Sequence, residues 1–325
     1  MLRNWPELVF GAICLALCTL LACVAHRGGS SAASLPGAES QPGAAPQIAI
    51  TFDDLPAHGS LPPGETRLGV AAKIVAALRD AHVPPTYGFT NGHLLEQDAT
   101  GAQVLQVWQE AGNPLGNHTW SHLNLNQHTL QEFQTDVERN EPLLAERMKD
   151  QPWHWLRFPY LAEGDTAEKR AGVRSYLLQR GYRIAGVTMS FGDYLYNDPY
   201  ARCSAKGDSE AIAFLERAYL AAADETITYD RGLSHTLFGR DIPYVLLMHI
   251  GALDARLLPQ LLALYRTRGF QFVSLEQAEN DSFYRQDTDL TLPPGPDSLE
   301  GVMRERGLPL PPHSISPPDF DKLCR

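Results

Sequence analysis

Basic side chains are scarce in this chain: 27 Lys and Arg stand against 38 Asp and Glu, for a formal net charge of −11. A surface that follows a phosphate backbone needs the opposite balance, so nucleic acid is excluded as a natural partner and a neutral ligand is easier to accommodate. Cysteine is sparse too. Of the five, Cys14, Cys18 and Cys23 share one apolar N-terminal stretch, leaving Cys203 and Cys324 as the only pair available to the rest of the chain. There is no internal repeat. What remains is 325 residues, 44% of hydrophobic type, enough for one large domain with a well-filled core.

Residues 1–25 read as a targeting or anchoring element, outside the fold. Arg3 precedes the uncharged run 8–25, whose length lies between that of a signal h-region and a short membrane anchor. Leu20-Leu21-Ala22-Cys23 resembles a lipoprotein lipobox, in which Cys23 would become the lipidated N-terminus. Lipid anchor, uncleaved anchor and cleaved signal all imply export to the periplasm or cell envelope, with membrane contact confined to this segment. In an oxidising compartment Cys203 and Cys324 can pair, tying the C-terminal tail to the body. Residues 26–46, rich in Gly, Ala, Ser and Pro, read as a flexible linker. A domain is expected over 47–282, then a Pro-rich tail over 283–325 with little regular structure.

Within the domain, strand patterns fall at 47–52, 86–90, 115–118, 153–158, 183–189, 244–248 and 270–275. Helical spacing falls at 67–81, 103–111, 131–148, 166–180, 210–223 and 257–265. Residues 55–65 and 196–209 read as loops, and 224–240 as a less regular stretch. Seven strands alternating with helices argue for a parallel sheet with crossover helices. If that sheet closes into a barrel, reactive residues gather at the C-terminal strand ends. Asp54, His118, Arg157, Asp193 and His249 all fall at such ends.

The first strand ends in two adjacent carboxylates, Asp53 and Asp54. Such a pair alone more often makes a turn or caps a helix. Held side by side in a fold, however, two like charges repel unless a metal ion or an arginine sits beside them. His118 and His122 are four residues apart, which one helical turn places on a common face. A carboxylate with two imidazoles is a zinc-type ligand set that leaves a fourth position open for water.

Thr51-Phe52-Asp53-Asp54, His118-Thr119-Trp120-Ser121-His122, Arg157-Phe158-Pro159-Tyr160 and Leu247-Met248-His249 stand in this order. Together they resemble the motifs of polysaccharide deacetylases of the NodB-homology type, carbohydrate esterase family four, over residues 47–275. The resemblance implies an α/β fold, a distorted (β/α)7 barrel, and metal-dependent removal of acetyl groups from sugars. It implies that Asp54, His118 and His122 hold the metal and that Asp53 is the general base, oriented by Arg157. It gives His249 the general-acid role, Tyr160 a backbone N–H for the oxyanion, and Leu247 the apolar wall for the acetyl methyl. Asp193 is the candidate partner of His249 and Asp198 the alternative, because the family's tryptophan-bearing fourth motif is represented only by 193–198. The donor set favours Zn2+, with Co2+, Ni2+, Mn2+ and Fe2+ able to occupy the same ligands. Trp120 is a candidate aromatic for a sugar ring, whereas Trp153 and Trp155 are expected in the core. His58, His93, His128 and His235 are expected to be ordinary surface or packing residues. The reading is therefore a monomeric, metal-dependent deacetylase acting on N-acetylated sugars of a cell-envelope or extracellular polysaccharide. The alternatives are an O-acetyl esterase or small-amide hydrolase on the same fold, and a glycan-binding barrel without turnover.

Overall fold

The computed structural model describes residues 44–149, 151–296, 298–314 and 318–325. The N-terminal segment 1–25, including Cys23, and the expected linker up to 43 lie outside the described residues. Among the described residues no helix is long and apolar enough to cross a membrane.

The sheet is built around β1 (Gln47–Leu55), buried on both faces along nearly its whole length, as expected of a central strand in a parallel sheet. Its two faces do different work, because side chains alternate along a strand. Ile48, Ile50 and Phe52 join the large apolar core under the helices, while Ala49 joins a smaller cluster with Tyr87, Phe89, Trp155 and Val245. Thr51 and Asp53 continue the face that Ala49 begins. The other strands are β2 (Gly88–Thr90), β3 (Leu115–Asn117), β4 (Trp155–Leu156), β5 (Arg183–Ile184), β6 (Tyr244–His249) and β7 (Gln271–Phe272). All pairings are parallel, in the order β5-β4-β3-β2-β1-β6, with β7 on the first residues of β1. Beyond β5 the chain reaches β6 through a parallel bridge between Met189 and Leu246. This is the distorted parallel (β/α) barrel expected from the sequence.

The strands are shorter than their patterns suggest, and 183–189 shows why. The Ala185 N–H still donates to the Leu156 carbonyl, but beyond it the backbone is satisfied by side chains in place of a ladder. Arg157 donates to the carbonyls of Ala185 and Gly186, and Gly186 N–H donates to Glu279. Only Thr188 and Met189 return to strand-like bonding, with Val245.

The helices are α1 (Arg67–Asp80), α2 (Leu94–Gln97), α3 (Gly101–Glu110), α4 (Leu130–Met148), α5 (Ala167–Gln179), α6 (Asn197–Lys206), α7 (Ser209–Phe238), α8 (Ala252–Thr267), α9 (Leu275–Ala278), α10 (Arg285–Thr288) and α11 (Leu299–Glu305). Two differ from expectation. The stretch 196–209 is mostly helical: Pro199 sits in the first turn of α6, where its missing N–H costs nothing, and Gly207 in the left-handed region ends it. The irregular reading of 224–240 is also corrected, since α7 runs unbroken for 30 residues. Thr226, Thr228 and Gly232 lower local helix propensity. Burial of Ile227, Asp230, Leu233, Ser234 and Leu237 at helical spacing overrides it.

The C-terminal region contains more regular structure than its proline content suggests, because Leu299, Val302 and Met303 bury one face of α11. Cys203 and Cys324 form a disulfide. Arg202 adds bonds to the carbonyls of Phe320 and Leu323.

Candidate active site

A cleft of about 570 Å³ opens at the C-terminal strand ends, and Asp53, Asp54, His58, His118, His122, Tyr160, Leu161, Ser190, Tyr194, Leu247 and His249 line it. Strand register sets its floor. Asp53 on β1 lies opposite His249 on β6, and Leu247 on β6 pairs with Thr51.

On a regular strand Asp54 would point away from Asp53. It does not, because Asp54 has φ 61°, in the left-handed region, and turns back over the cleft. His122 (φ 58°), Tyr160 (φ 58°) and Leu161 (φ 53°) share that conformation. Each such non-glycine residue costs on the order of 1–3 kcal/mol, and clusters of them mark functional sites. The expectation of a shared helical face for His118 and His122 is corrected by the same feature. Residues 118–122 form an irregular loop with Thr119 at φ 61°, and the ring centroids still approach to 4.9 Å.

Asp53 is buried against a fully buried arginine. Arg157 Nη1 lies 3.2 Å from Asp53 Oδ1, Nη2 donates to Thr51 Oγ1 at 3.1 Å, and Nε donates to the Ala185 carbonyl at 2.8 Å. A planar guanidinium can serve all three acceptors at once; an ammonium cannot. Burial pushes Asp53 up to about 6, with Arg157 opposing the rise.

Asp54, His118 and His122 converge. Asp54 Oδ1 is 3.6 Å from His118 Nε2 and 3.4 Å from His122 Nε2. It is buried and has no hydrogen-bond partner. His118 Nδ1 lies 2.7 Å from the Arg157 carbonyl, which fixes that nitrogen as the donor and turns the Nε2 lone pair inward. Burial pushes both imidazoles down to about 4, so both are neutral. Burial alone would raise Asp54, but its bond to His58 and the surrounding imidazoles hold it well below the usual carboxylate range. An ionised carboxylate with an orphaned oxygen, facing two neutral imidazoles, fits a divalent cation. The three ligand atoms lie within 4.8 Å of one another.

His249 forms the opposite wall. Its N–H donates to Asp193 Oδ2 at 2.6 Å and its Nδ1 lies 3.1 Å from Asp193 Oδ1. Burial pushes this imidazole down, but Asp193 outweighs it and raises the pKa to about 10. Asp198 is elsewhere, accepting from the Ser60 N–H at 2.7 Å. Behind Asp193, Asn197 and Tyr219 both donate to the buried Asp254 at 2.8 Å, bracing the turn that follows β6.

Leu247 and Tyr160 line the cleft as expected, Tyr160 with 67% of its surface exposed. Trp120 does not. Its ring packs against Gly92, where an added Cβ would meet it at 2.3 Å, and under the Arg139 guanidinium at 4.4 Å. Trp153 and Trp155 are buried, as expected of core residues. The reading of His58 as an ordinary residue is overturned. Its Nδ1 is 2.8 Å from Asp54 Oδ2, and its ring centroid is 4.6 Å from that of His249. The only signal for it was its position four residues after Asp54, the interval that separates His118 from His122. His93, His128 and His235 stay outside the cleft, paired with the Trp120 carbonyl, Glu132 and Asp241.

The fold and cleft thus define a parallel α/β barrel in which three residues able to hold a cation are set between an arginine-held carboxylate and a carboxylate-held imidazole. Residues 40–176 match the family described as polysaccharide deacetylase, which bears out the resemblance over the first three motifs; Leu247-Met248-His249 lies beyond the matched residues. Comparison with curated proteins found no match. Among solved structures, the chitin deacetylase of the fungal pathogen Colletotrichum lindemuthianum is similar in fold, with a TM-score of 0.52 at 18% identity, over 79% of this chain and 97% of that one. A CE4 family pseudoenzyme from Bacillus anthracis aligns with a TM-score of 0.50 at 13% identity, over 71% of this chain and 64% of that one.

Proposed function

We propose that the protein is an exported, metal-dependent hydrolase that removes acetyl groups from N-acetylated sugars of a cell-envelope or extracellular polysaccharide. The observation that carries this reading is the pairing of two opposed proton-transfer groups, Asp53 held by Arg157 and His249 held by Asp193, beside the Asp54, His118 and His122 ligand set. A glycan-binding barrel has no need of that arrangement.

A bound divalent cation would supply Lewis acidity, polarising the acetyl carbonyl and making water a better nucleophile at neutral pH. Zn2+ suits these donors best. Asp53, kept ionised and oriented by Arg157, takes the proton from the attacking water. As the water oxygen bonds to the acetyl carbon and the carbon–nitrogen bond breaks, the imidazolium of His249 returns a proton to the leaving amine. The Tyr160 backbone N–H assists the developing oxyanion. Leu247, with only 7% of its surface exposed, walls the methyl pocket.

Acetate release from a panel of N- and O-acetylated oligosaccharides tests the reading. N-acetylated glycans should turn over. Release only from O-acetyl substrates or a small amide would assign a different substrate to the same site, and no release at all would leave a binding barrel. Asp53→Asn should abolish turnover while metal stays bound, and His118→Ala should lose both.

A further inference from the structure

His58 is the one imidazole in the cleft to which the proposed hydrolysis gives no task. It sits on the loop after β1 and its Nδ1–H donates to Asp54 Oδ2 at 2.8 Å. The loop is clamped from two sides. Arg67, the first residue of α1, donates to the carbonyls of His58 at 2.7 Å and Gly59 at 2.5 Å. Ser60 N–H donates to Asp198 at 2.7 Å. Gly59 has φ +62°, and a Cβ there would lie 2.9 Å from the Cβ of Asn197. The backbone therefore sets where the ring stands.

Asp54 mirrors this asymmetry. One of its oxygens is engaged by His58; the other, Oδ1, is buried without a hydrogen-bond partner and faces the two imidazoles. We propose that His58 is a positioning residue: by holding Oδ2 it dedicates Oδ1 to the cation and keeps Asp54 a single-oxygen ligand. This rests on the reading of Asp54, His118 and His122 as the cation site. Groups that hold a ligand from behind commonly govern metal affinity as strongly as some ligands do.

The test uses the purified full chain, stripped of metal and titrated with Co2+, read by visible absorption and by competition for the dissociation constant. Thermal unfolding of each metal-free variant checks the fold. His58→Ala should weaken Co2+ binding about 10- to 100-fold and change the absorption bands. His58→Asn, whose amide N–H takes the place of the Nδ1–H, should restore affinity and bands close to those of the unaltered protein. His58→Gln, whose amide reaches the Nε2 position, should not. Unchanged Co2+ affinity in the alanine variant overturns the proposal. So does an asparagine variant no better than alanine, the result expected if His58 is itself a ligand. Unaltered protein that binds no Co2+ removes the cation site and this inference with it.

Discussion

Replacing Arg157 by methionine keeps much of the apolar bulk over Phe89, where the guanidinium lies 4.6 Å from the ring, and deletes the charge. Three buried acceptors lose their donor: the Asp53 carboxylate, the Thr51 hydroxyl and the Ala185 carbonyl. Breaking a buried ion pair from one side costs about 3–5 kcal/mol, more than the roughly 1 kcal/mol expected for each neutral hydrogen bond. The charge left behind dominates. Asp53 can escape part of this cost by taking up a proton, and burial already raises it from 3.8 to about 6 with the arginine present.

A carboxylate whose folded pKa lies above its unfolded value binds more protons in the native state, so it contributes stability at low pH that is lost as pH rises. In the unaltered protein that loss runs from about 4 to about 6. In Arg157→Met the window extends upward. Urea unfolding should show a deficit of about 3–5 kcal/mol at pH 8, shrinking by about 1.4 kcal/mol per unit as pH falls towards 6. Adding Asp53→Asn should recover most of it, because the double variant no longer buries an unpaired charge. A deficit under about 1 kcal/mol, one independent of pH, or a double variant as unstable as the single one would refute the argument.

Asp193→Asn should remove the main interaction that holds His249 at about 10, leaving burial to push the imidazole back towards its ordinary value of about 6.5 against the remaining pull of Asp54 and Asp53. The alkaline limb of the pH–rate profile should then move down, with a loss of about 10²-fold near pH 8. The stabilisation His249 contributes is complete below about 6.5 and is lost as pH rises through about 10; unfolding experiments with the variant should show that pH-dependent term missing. Reducing Cys203–Cys324, or replacing both residues by serine, opens a loop with a sequence separation of 121. It should cost about 2–5 kcal/mol in denaturant unfolding and expose the C-terminal residues to protease.

Sequence alone specified the elements whose physics is local. The seven strand positions, the helices at 67–81 and 131–148, and the acid-rich end of β1 were legible because apolar periodicity and adjacent charges need no distant partner to be recognised. Motif order carried the family resemblance. Two side chains, Trp120 and His58, were not legible in this way. Residue type makes Trp120 a candidate for a sugar ring and His58 an ordinary surface or packing residue, and the structure reverses both for one reason: side-chain direction at a strand end depends on backbone turns that the residue types do not announce. Left-handed φ at Asp54, Thr119, His122 and Tyr160 is paid for by the fold around it, and no propensity rule predicts it.

Tertiary structure likewise chose Asp193 over Asp198. Both lie in one short acidic stretch, and only the approach of β6 puts one of them against His249. It also completed α7, where burial outweighed weak helix formers, and shortened the fifth strand, where Arg157 and Glu279 replaced a neighbouring backbone. Composition and spacing thus determined which chemical groups are present and roughly where along the barrel they stand. Long-range packing decided which way each one faces, because direction is set by contacts between segments far apart in sequence, as in the pairing of Asp193 with His249 across a separation of 56 and of Arg157 with Asp53 across 104.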